Sequence, residues 1–415
     1  MLDFMPDMSN LYSVLEATRT NLSPIRFQLL TWYEWFENPS NPIHHSHYAA
    51  TIRASLEIAE RMTRKYKKPI FGIYSCEIDN KTYVVRQRRV MKNTFCHLQH
   101  FAKPGYHSHQ PKLLIVAPMS GHHATLLRGT VQDTLPFFDV YITDWIDANQ
   151  IPITDGGFDL DVFIDYVIND IKFLGPDVHV MAVCQPTVPV LAATAIMSED
   201  QDPHIPKSLI LIGGPIDARK NPTKPNHFAI DRNLEWFDKV MITSVPANYP
   251  GYRRRVYPGF LQLANFISMN LQRHITSHVD LFKNLLVEDD EEADKQKKFY
   301  DEYLSVMDLT AEFYLQTIKE VFHEFSLARG KFTHRGRKVS LDSITKCALF
   351  GIEGENDDIS AVGQTKAALN LCKNIPASKK GYHLQKGVGH YGSFSGSKFR
   401  TMIVPKIKEF IYAND

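Results

Sequence analysis

Short apolar segments alternate with longer amphipathic segments over most of this chain, and that alternation restricts the fold more than any other feature. Helical patterns such as LDVFIDYVINDIKFL and ISAVGQTKAALNLCKNI separate most of the apolar segments. Six segments have the length and character of buried strands: residues 113–118, 139–145, 178–184, 208–214, 347–354 and 381–387. Strands that are apolar on both faces and separated by helices are typical of a parallel sheet covered on both sides. The sequence therefore predicts an α/β fold with a mostly parallel sheet.

Three regions depart from this alternation. Residues 10–66 have helical periodicity and few glycines, so we expect residues 1–66 to form a helical N-terminal extension. From Pro69 onwards, the segments PIFGIYSCEI and KTYVVRQRRV predict two antiparallel strands joined by a turn at Asp79-Asn80. Residues 226–335 are helical and aromatic in character without a clear strand, and an insertion there would lie over the carboxyl ends of the strands. We expect a helical cap at 226–335, with residues 67–225 and 336–415 forming the α/β core.

Charge and targeting features exclude several classes of protein. The 47 basic and 46 acidic side chains give a net charge of +1, which favours neither a nucleic acid nor an anionic membrane as a partner. The N-terminus MLDFMPDMSNLYSVLEATR lacks a basic region followed by an apolar segment, so we expect no secretion signal. No segment approaches the 18 or so apolar residues of a transmembrane helix. The five cysteines are scattered and odd in number, which predicts free thiols in a reducing cytoplasm.

One cysteine lies where a strand pattern meets a helical pattern. Cys184 follows VHVMAV and precedes TVPVLAATAIM, in which Pro189 falls within the first helical turn, where proline is acceptable. A nucleophile elbow has this arrangement, and the adjoining helix N-terminus favours a thiolate. However, Ala182 and Pro186 replace the two glycines of the usual Gly-x-Ser-x-Gly pattern. Taken alone, Cys184 fits a small buried core residue better than a nucleophile.

Two later strand segments end in residues that complete a triad. In this kind of sheet the acid follows a late strand and the base follows the last one. The segment CALFGIEGENDDIS places Asp357 on the turn after Gly354, while Asp358 is better suited to starting the next helix. The segment GYHLQKGVGHYGSFSG places His390 after the last strand. An N-cap aspartate and a loop histidine are the alternatives, but three placements in the expected order favour a triad of Cys184, Asp357 and His390.

Acyl transfer also needs donors for an oxyanion. The residue after the nucleophile normally supplies one backbone N–H, and a loop after an early strand supplies another. Gly121 allows close backbone approach, and the adjacent histidines could touch the substrate or its leaving group. The candidates for the oxyanion hole and substrate binding are Gln185, Met119, Ser120, Gly121, His122 and His123.

Histidine pairs raise the alternative of a metal site. They occur in HHSH at 44–47, in HSH at 107–109 and at His122-His123. Zinc sites combine such residues with suitably spaced cysteines or with a His-Glu-x-x-His helix, and the sequence contains neither pattern. We therefore predict no metal and no cofactor.

The predicted cap is rich in side chains that an apolar ligand could use. Aromatic residues at helical spacing normally form core, so we expect most of these to pack inward. The run Arg253-Arg254-Arg255 fits a solvated face or a partner for carboxylates better than a nucleic-acid patch. The aromatic residues concerned are Trp236, Phe237, Tyr249, Tyr252, Tyr257, Phe260 and Phe266.

Four segments together carry a resemblance to a known family. The residues VAPMSGHHATLLRGTVQDTLPFFDVYITDW, VCQPTVPVLAA, GENDDIS and GVGHYGSFSG resemble the intracellular poly(3-hydroxybutyrate) depolymerases, from about residue 10 to the C-terminus. The resemblance implies an α/β-hydrolase core with a Cys-Asp-His triad at Cys184, Asp357 and His390. It also implies hydrolysis of polyhydroxyalkanoate in the storage granules of a bacterial cytoplasm. The family's use of cysteine in place of serine accounts for that departure from the usual elbow.

Two other functions are compatible with these residues. A polyester synthase resembles the same fold and uses a cysteine triad, but its elbow reads Gly-x-Cys-x-Gly, whereas this chain has Ala-Val-Cys-Gln-Pro. A granule-binding protein without activity would have no use for three triad residues at strand ends. Homo-oligomer formation is also possible for this chain, and its sequence leaves the polymer chain length open.

Overall fold

The computed structural model describes residues 11–269, 271–287 and 290–415. Two helices, α1 (Leu11–Glu37) and α2 (His47–Thr63), open the described chain and pack against each other. The hydroxyl of Ser46 caps α2 by accepting a hydrogen bond from the N–H of Ala49. The predicted helical N-terminal extension is therefore confirmed over its described residues.

The hairpin predicted after Pro69 is present and shorter than expected. Strands β1 (Ser75–Ile78) and β2 (Lys81–Val84) are antiparallel, and Asp79 and Asn80 between them have φ values of +49° and +61°. Positive φ at both positions is typical of a two-residue hairpin turn. The chain then enters β3 (Arg86–Lys92), which pairs with β4 (Cys96–Ala102). Strand β4 was not predicted, because its histidines and glutamine interrupt the apolar pattern.

Four of the six apolar segments form the next strands, each followed by a helix or a short loop. Helix α4 begins after Asp159, whose carboxylate accepts from the N–H of Val162, and it ends at Gly175. The strands are β5 (Lys112–Val116), β6 (Asp139–Trp145), β7 (Val178–Val183) and β8 (Ser208–Ile212). The helices are α3 (Arg128–Thr134), α4 (Leu160–Leu174) and α5 (Thr187–Glu199).

The long segment after β8 is mostly helical. Its helices are α6 (Lys224–Ile230), α7 (Leu234–Met241), α8 (Gly259–Met269), α9 (Leu271–Leu286), α10 (Asp290–Tyr303) and α11 (Ala311–Thr317). Helix α11 continues as a π-helical turn over Ile318–His323. The segment also contains strands of two or three residues, which are too short to show a period in the sequence. These are β9 (Thr243–Ser244), β10 (Arg255–Tyr257), β11 (Leu309–Thr310) and β12 (Thr333–His334), which pairs with β13 (Arg337–Lys338).

The last two apolar segments form β14 (Ala348–Gly354) and β15 (Lys380–Gln385), accompanied by α12 (Ala367–Leu371) and α13 (Val404–Tyr412). The large sheet has eight strands in the order β3-β4-β6-β5-β7-β8-β14-β15. Pairs β3·β4 and β4·β6 are antiparallel and the other pairs are parallel. Every residue of β7, β8 and β14 is buried, which explains why these strands are apolar throughout. The predicted α/β class is confirmed.

The N-terminal helices are joined to the region after β8 by buried polar contacts. The hydroxyl of Tyr12 donates to the Asp308 carboxylate at 2.7 Å, and the same carboxylate accepts from the side-chain amide of Asn149 at 3.0 Å. Its other oxygen accepts from the N–H of Gly259, the first residue of α8, at 2.9 Å. Burial raises the pKa of Asp308. One carboxylate thus connects α1, the loop after β6 and the start of α8.

Asp170 on α4 is a buried acid. It is 1% exposed, and neither of its carboxylate oxygens has a hydrogen-bond partner in the described part of the chain. Burial raises the pKa of Asp170 to about 8. An unfolded aspartate has a pKa of about 3.9, so between these values the folded chain holds a proton that the unfolded chain has lost. The contribution of Asp170 to the free energy of unfolding therefore falls as pH rises from about 4 to about 8.

We expect Asp170→Asn to remove this loss, since asparagine stays neutral at every pH. Each unit of pKa shift corresponds to about 1.4 kcal/mol, so the variant should unfold roughly 5 °C above wild type at about pH 8 and much closer to it at about pH 5. Thermal unfolding followed by circular dichroism at both pH values measures the difference. Asp177→Asn, at a side chain that is 62% exposed, is the control and should match wild type. A difference that does not grow with pH would contradict the buried, neutral state of Asp170.

Candidate active site

Cys184 lies immediately after β7 on a strained turn. Its φ is +67°, a region that residues other than glycine rarely adopt. The N–H of Cys184 donates to the carbonyl of Ile212 at 2.7 Å, and its own carbonyl accepts from the N–H and the hydroxyl of Thr187, at 3.1 and 2.9 Å. Helix α5 starts at Thr187. The geometry is that of a nucleophile elbow, in which a strained residue between strand and helix presents its side chain outward.

Pro186 fits into this turn because the position that must lack a side chain lies elsewhere in the chain. Pro186 caps α5 with φ of −69°, which suits the fixed φ of proline. Thr187 packs so closely on Gly214 that a Cβ there would lie 1.8 Å from the threonine hydroxyl oxygen. The glycine that this contact requires therefore stands after β8 and not within the elbow itself.

Asp357 and His390 lie together at the ends of β14 and β15. The Nδ1 of His390 is 2.8 Å from the Oδ2 of Asp357, and the side chains are only 4% and 0% exposed. Since a carboxylate only accepts, Nδ1 carries the proton of this bond and Nε2 is left for another partner. The Oδ1 of Asp357 accepts from the N–H groups of Ile359 and Ser360 at 2.9 and 2.8 Å. The carboxylate both closes its own turn and orients the imidazole.

The environment of His390 favours its protonated form. Burial alone would lower the pKa of this imidazole, but the charges of Cys184 and Asp357, with hydrogen bonds to both, outweigh it. The net result is a pKa of His390 well above its ordinary value. The structure thus brings together the three residues that the sequence singled out. Asp358 does not start a helix as expected, because α12 begins only at Ala367.

A cavity of about 390 Å³ opens over these residues. Its floor contains Cys184, Gln185 and His390, together with Met119 and Ser120 from the loop after β5. Its walls are mostly apolar side chains from the segment after β8. Those that the sequence analysis did not single out include Phe228, Phe313, Ile318, Val321 and Phe322. The spacing of the aromatic residues in AEFYLQTIKEVFHEF could have indicated part of this wall from the sequence.

Of the loop residues proposed for the oxyanion hole, Met119 is already hydrogen-bonded. Its N–H donates to the side-chain oxygen of Gln185 at 3.2 Å. Ser120 lines the cavity, whereas Gly121 is absent from its wall and has φ of +95°. A Cβ on Gly121 would lie 2.6 Å from the side-chain oxygen of Gln262 on α8, so this glycine allows close approach to α8. The structure therefore places only part of the loop next to Cys184.

The two histidines of this loop are buried and uncharged at neutral pH. His122 lines the cavity and donates from Nε2 to the carbonyl of Tyr303 at 3.1 Å, and burial lowers its pKa to about 4. His123 is not part of the cavity wall, and burial, with smaller effects of Lys68 and His122, lowers its pKa to about 3. Contact with substrate is thus open to His122 but not to His123.

The aromatic residues of the predicted cap divide between cavity and core. Phe237, Tyr257 and Phe266 line the cavity. Tyr249 and Phe260 pack edge-on against Tyr12 of α1, with ring centroids 5.9 and 5.5 Å apart. Trp236 packs on Phe237, and Tyr252 is 47% exposed.

The arginine run is not a single solvated face. Arg254 is buried and donates to the carbonyls of Ile151, Pro152 and Gly156. Arg255 pairs with Asp238, as a carboxylate partner was expected to do. The burial of Arg254 reflects backbone carbonyls, which the sequence pattern does not reveal.

Among the described residues, no group of three or more histidine, cysteine, aspartate or glutamate side chains is placed to hold a metal ion. None of the helices in the described part of the chain combines the length and apolarity that crossing a bilayer requires. All five cysteines are free thiols, and Cys184 is the one that is not buried.

Comparisons with known proteins give one family and many similar folds. Residues 213–415 match the family model described as PHB de-polymerase C-terminus. No curated protein matches the chain. The chain is similar to a monoacylglycerol lipase from Paleococcus ferrophilus, at 10% identity over 74% of this chain and 96% of that one, with a TM-score of 0.44. It is similar to the 2-hydroxy-6-oxo-6-phenylhexa-2,4-dienoate hydrolase from Rhodococcus sp. strain RHA1. The identity is 12% over 80% of this chain and 100% of that one, with a TM-score of 0.42. It is also similar to an esterase from Thermogutta terrifontis, at 12% identity over 79% of this chain and 98% of that one, with a TM-score of 0.41.

An eight-stranded sheet of this order, with a strand–elbow–helix turn at its fifth strand and an acid and a histidine after its last two, defines an α/β-hydrolase. The chain has the α/β-hydrolase fold. Its residues 213–415, just under half of the chain, match the model of the C-terminal domain of poly(3-hydroxybutyrate) depolymerases.

Proposed function

We propose that this protein hydrolyses the ester bonds of poly(3-hydroxybutyrate) in cytoplasmic storage granules, with Cys184 as the nucleophile. The observation that supports this most directly is the position of Cys184. It lies on a strained elbow beside the His390–Asp357 pair and at the floor of a mostly apolar cavity, in a chain that matches the depolymerase family. We further propose that residues 226–335 act as the cap over this site.

In the first half of the reaction, His390 takes the proton of the Cys184 thiol through Nε2. The thiolate attacks an ester carbonyl of the polymer and forms a tetrahedral intermediate. As this collapses, the C–O bond to the alcohol end breaks, and His390 returns the proton to the leaving alkoxide. The products are a shortened chain with a free hydroxyl group and a thioester on Cys184.

In the second half, water hydrolyses the thioester. His390 removes a proton from the water, whose oxygen attacks the thioester carbonyl, and the C–S bond then breaks. The sulfur regains a proton from His390, and a carboxylic acid, either 3-hydroxybutyrate or a short oligomer, leaves. Asp357 holds the imidazole in the required orientation and stabilises its charged form in both halves.

The oxyanion of each intermediate needs preorganised donors. We assign the N–H of Gln185 and, from the loop after β5, the N–H of Met119. The latter donates to the side-chain oxygen of Gln185 when no substrate is bound. We infer that the amide of Gln185 swings away as the substrate carbonyl enters and takes over this donor.

The proposal is tested by incubating the purified protein separately with native amorphous granules, a linear trimer of 3-hydroxybutyrate, 4-nitrophenyl butyrate and 3-hydroxybutyryl-CoA. We expect acid release from the first three substrates and loss of that release after iodoacetamide. Alkylation should be confined to Cys184 in the folded protein, because the other four cysteines are buried. Peptide mass spectrometry locates the modified thiol.

Each rival function has its own result in this experiment. Release of CoA with growth of polymer would identify a synthase. Binding to granules without acid release, and without a trapped thioester on the trimer, would identify a binding protein. Hydrolysis of 4-nitrophenyl butyrate alone would leave an esterase with a different substrate.

A further inference from the structure

One charged side chain outside the triad lines the mostly apolar cavity. Among the described residues of the cavity wall, Lys224 is the only lysine or arginine, and no aspartate or glutamate is present. The two histidines of the wall are His122, whose pKa burial lowers to about 4, and His390 of the triad. The described wall therefore carries one fixed positive charge apart from the triad, without an acidic side chain to neutralise it.

The ammonium group of Lys224 has no partner within the protein. The residue is exposed, and its side chain makes no ion pair, hydrogen bond or aromatic contact in the described part of the chain. By contrast, Lys239 in the next helix pairs with Glu235 one turn away. Lys224 is also the first residue of α6, an end of a helix where the dipole disfavours a cation. Local helix stability therefore does not explain a lysine at this position.

The start of α6 is fixed next to the turn that carries the triad acid. The hydroxyl of Thr223 donates to the carbonyl of Ile359, two residues after Asp357, at 3.0 Å. The side-chain oxygen of Asn226 accepts from the N–H of Thr223 at 2.9 Å. Ile359 itself lines the cavity. The backbone of Lys224 is thus held beside the catalytic end of β14, while its charged end is free.

The face of α6 that includes Lys224 is turned towards the cavity. Lys224 and Phe228 lie four residues apart, so they share one face of the helix, and both line the cavity. The long apolar stem of a lysine can lie along an apolar wall while the ammonium group stays in contact with water. This position gives the charge access to the mouth of the cavity.

The proposed substrate class contains an anion that this charge fits. The ester oxygens of a 3-hydroxybutyrate chain are neutral, but each chain ends in one carboxylate, and each hydrolysis creates another. A carboxylate that enters an apolar cavity loses hydration, which is unfavourable unless a cation or hydrogen-bond donor replaces the water. An unpaired lysine on the wall meets that need.

We propose that Lys224 forms a carboxylate-binding site, which holds the acid end of a 3-hydroxybutyrate oligomer while an ester of the same chain lies at Cys184. This inference rests on the proposed function. The carboxylate that is held belongs to the part of the chain that leaves as the alcohol when the thioester forms. The site favours short anionic oligomers over neutral esters of the same length.

The test uses two trimers of 3-hydroxybutyrate that differ only in charge: the free acid, and the same trimer with its end capped as a primary amide. The amide has nearly the shape of the carboxylate but no charge. Lys224→Gln should lower kcat/KM on the acid by about 3-fold to 5-fold, the size of one ion pair at a partly exposed site. On the amide, kcat/KM should stay within about 1.5-fold of wild type. Sodium chloride at about 0.5 M should reduce the wild-type preference for the acid, because salt screens exposed charges.

Two further variants show whether the charge itself is responsible. Lys224→Arg keeps the positive charge and should keep the preference for the acid. Lys220→Gln makes the same change at an exposed lysine that does not line the cavity, and it should leave both rates unchanged. All three variants should unfold at the temperature of wild type, since neither lysine is buried.

The results separate this inference from the proposed function. Equal losses on both trimers, an unchanged rate on the acid, or the same loss in the Lys220 variant would each overturn the carboxylate site while leaving ester hydrolysis by Cys184 intact. A wild-type protein that cleaves 4-nitrophenyl butyrate but neither trimer would overturn the proposed polymer substrate and the inference with it.

Discussion

Cys184→Ala is expected to lower ester hydrolysis by at least about 10³-fold on granules, on the trimer and on 4-nitrophenyl butyrate alike. Removal of the sulfur leaves no nucleophile beside His390, and what persists is catalysis by the oxyanion donors and by binding alone. Alanine tolerates the positive φ of this position about as well as cysteine does, and the backbone bonds from residue 184 to Ile212 and Thr187 do not involve the thiol. The variant should therefore fold and unfold like wild type.

Cys76→Ala supplies the control for loss of a thiol as such. Cys76 is buried in the β1–β2 hairpin and does not line the cavity, so its removal should leave kcat/KM unchanged. Mass spectrometry of wild type quenched during trimer hydrolysis should detect an acyl group on Cys184 and none in the alanine variant. If Cys184→Ala retained more than a few per cent of wild-type activity, another group would be the nucleophile.

The parts of the fold that the sequence predicted are those with one dominant physical cause. Strands β7, β8 and β14 are buried on both faces, so their residues are uniformly apolar and their limits are visible in the sequence. The carboxyl ends of β7, β14 and β15 also fix where Cys184, Asp357 and His390 must lie, because parallel strands end at one edge of a sheet. Strand β4 escaped prediction, since its antiparallel position tolerates histidines and a glutamine.

Contacts between residues far apart in the chain could not be predicted from the sequence. The bond between Met119 and Gln185 joins residues 66 positions apart, and no local pattern indicates that a side chain occupies that N–H. The hydroxyl of Thr317 has no hydrogen-bond partner among the described residues because of the residues packed around it, which the local sequence does not show. The same holds for the close packing of Thr187 on Gly214. Helical periodicity located the aromatic residues between β8 and β14, but only the packed structure separates Phe237 at the cavity from Tyr249 against Tyr12.

Asp357→Asn is expected to lower kcat by about 10³-fold to 10⁴-fold while leaving the fold intact. The amide oxygen of asparagine can still accept from the N–H groups of Ile359 and Ser360, so the turn closes as before. Its NH₂ group would then face Nδ1 of His390, and because NH₂ donates, the imidazole must accept there and carry its proton on Nε2. That tautomer cannot take a proton from Cys184.

The same substitution should change the pH dependence in a defined direction. The negative charge of Asp357 helps to raise the pKa of His390 well above its usual value, so removal of that charge lowers it. His390 of the variant should lose its proton at a lower pH, and the alkaline limb of the residual kcat/KM profile should move to lower pH than in wild type. The rate of Cys184 alkylation by iodoacetamide gives a second readout that needs no turnover, and at about pH 7 it should fall, because a less protonated His390 stabilises the thiolate less. Asp358→Asn, one residue along the same turn, is the matched control and should keep both the rate and the profile of wild type. Loss of activity in that variant instead, with Asp357→Asn active, would place the triad acid at Asp358.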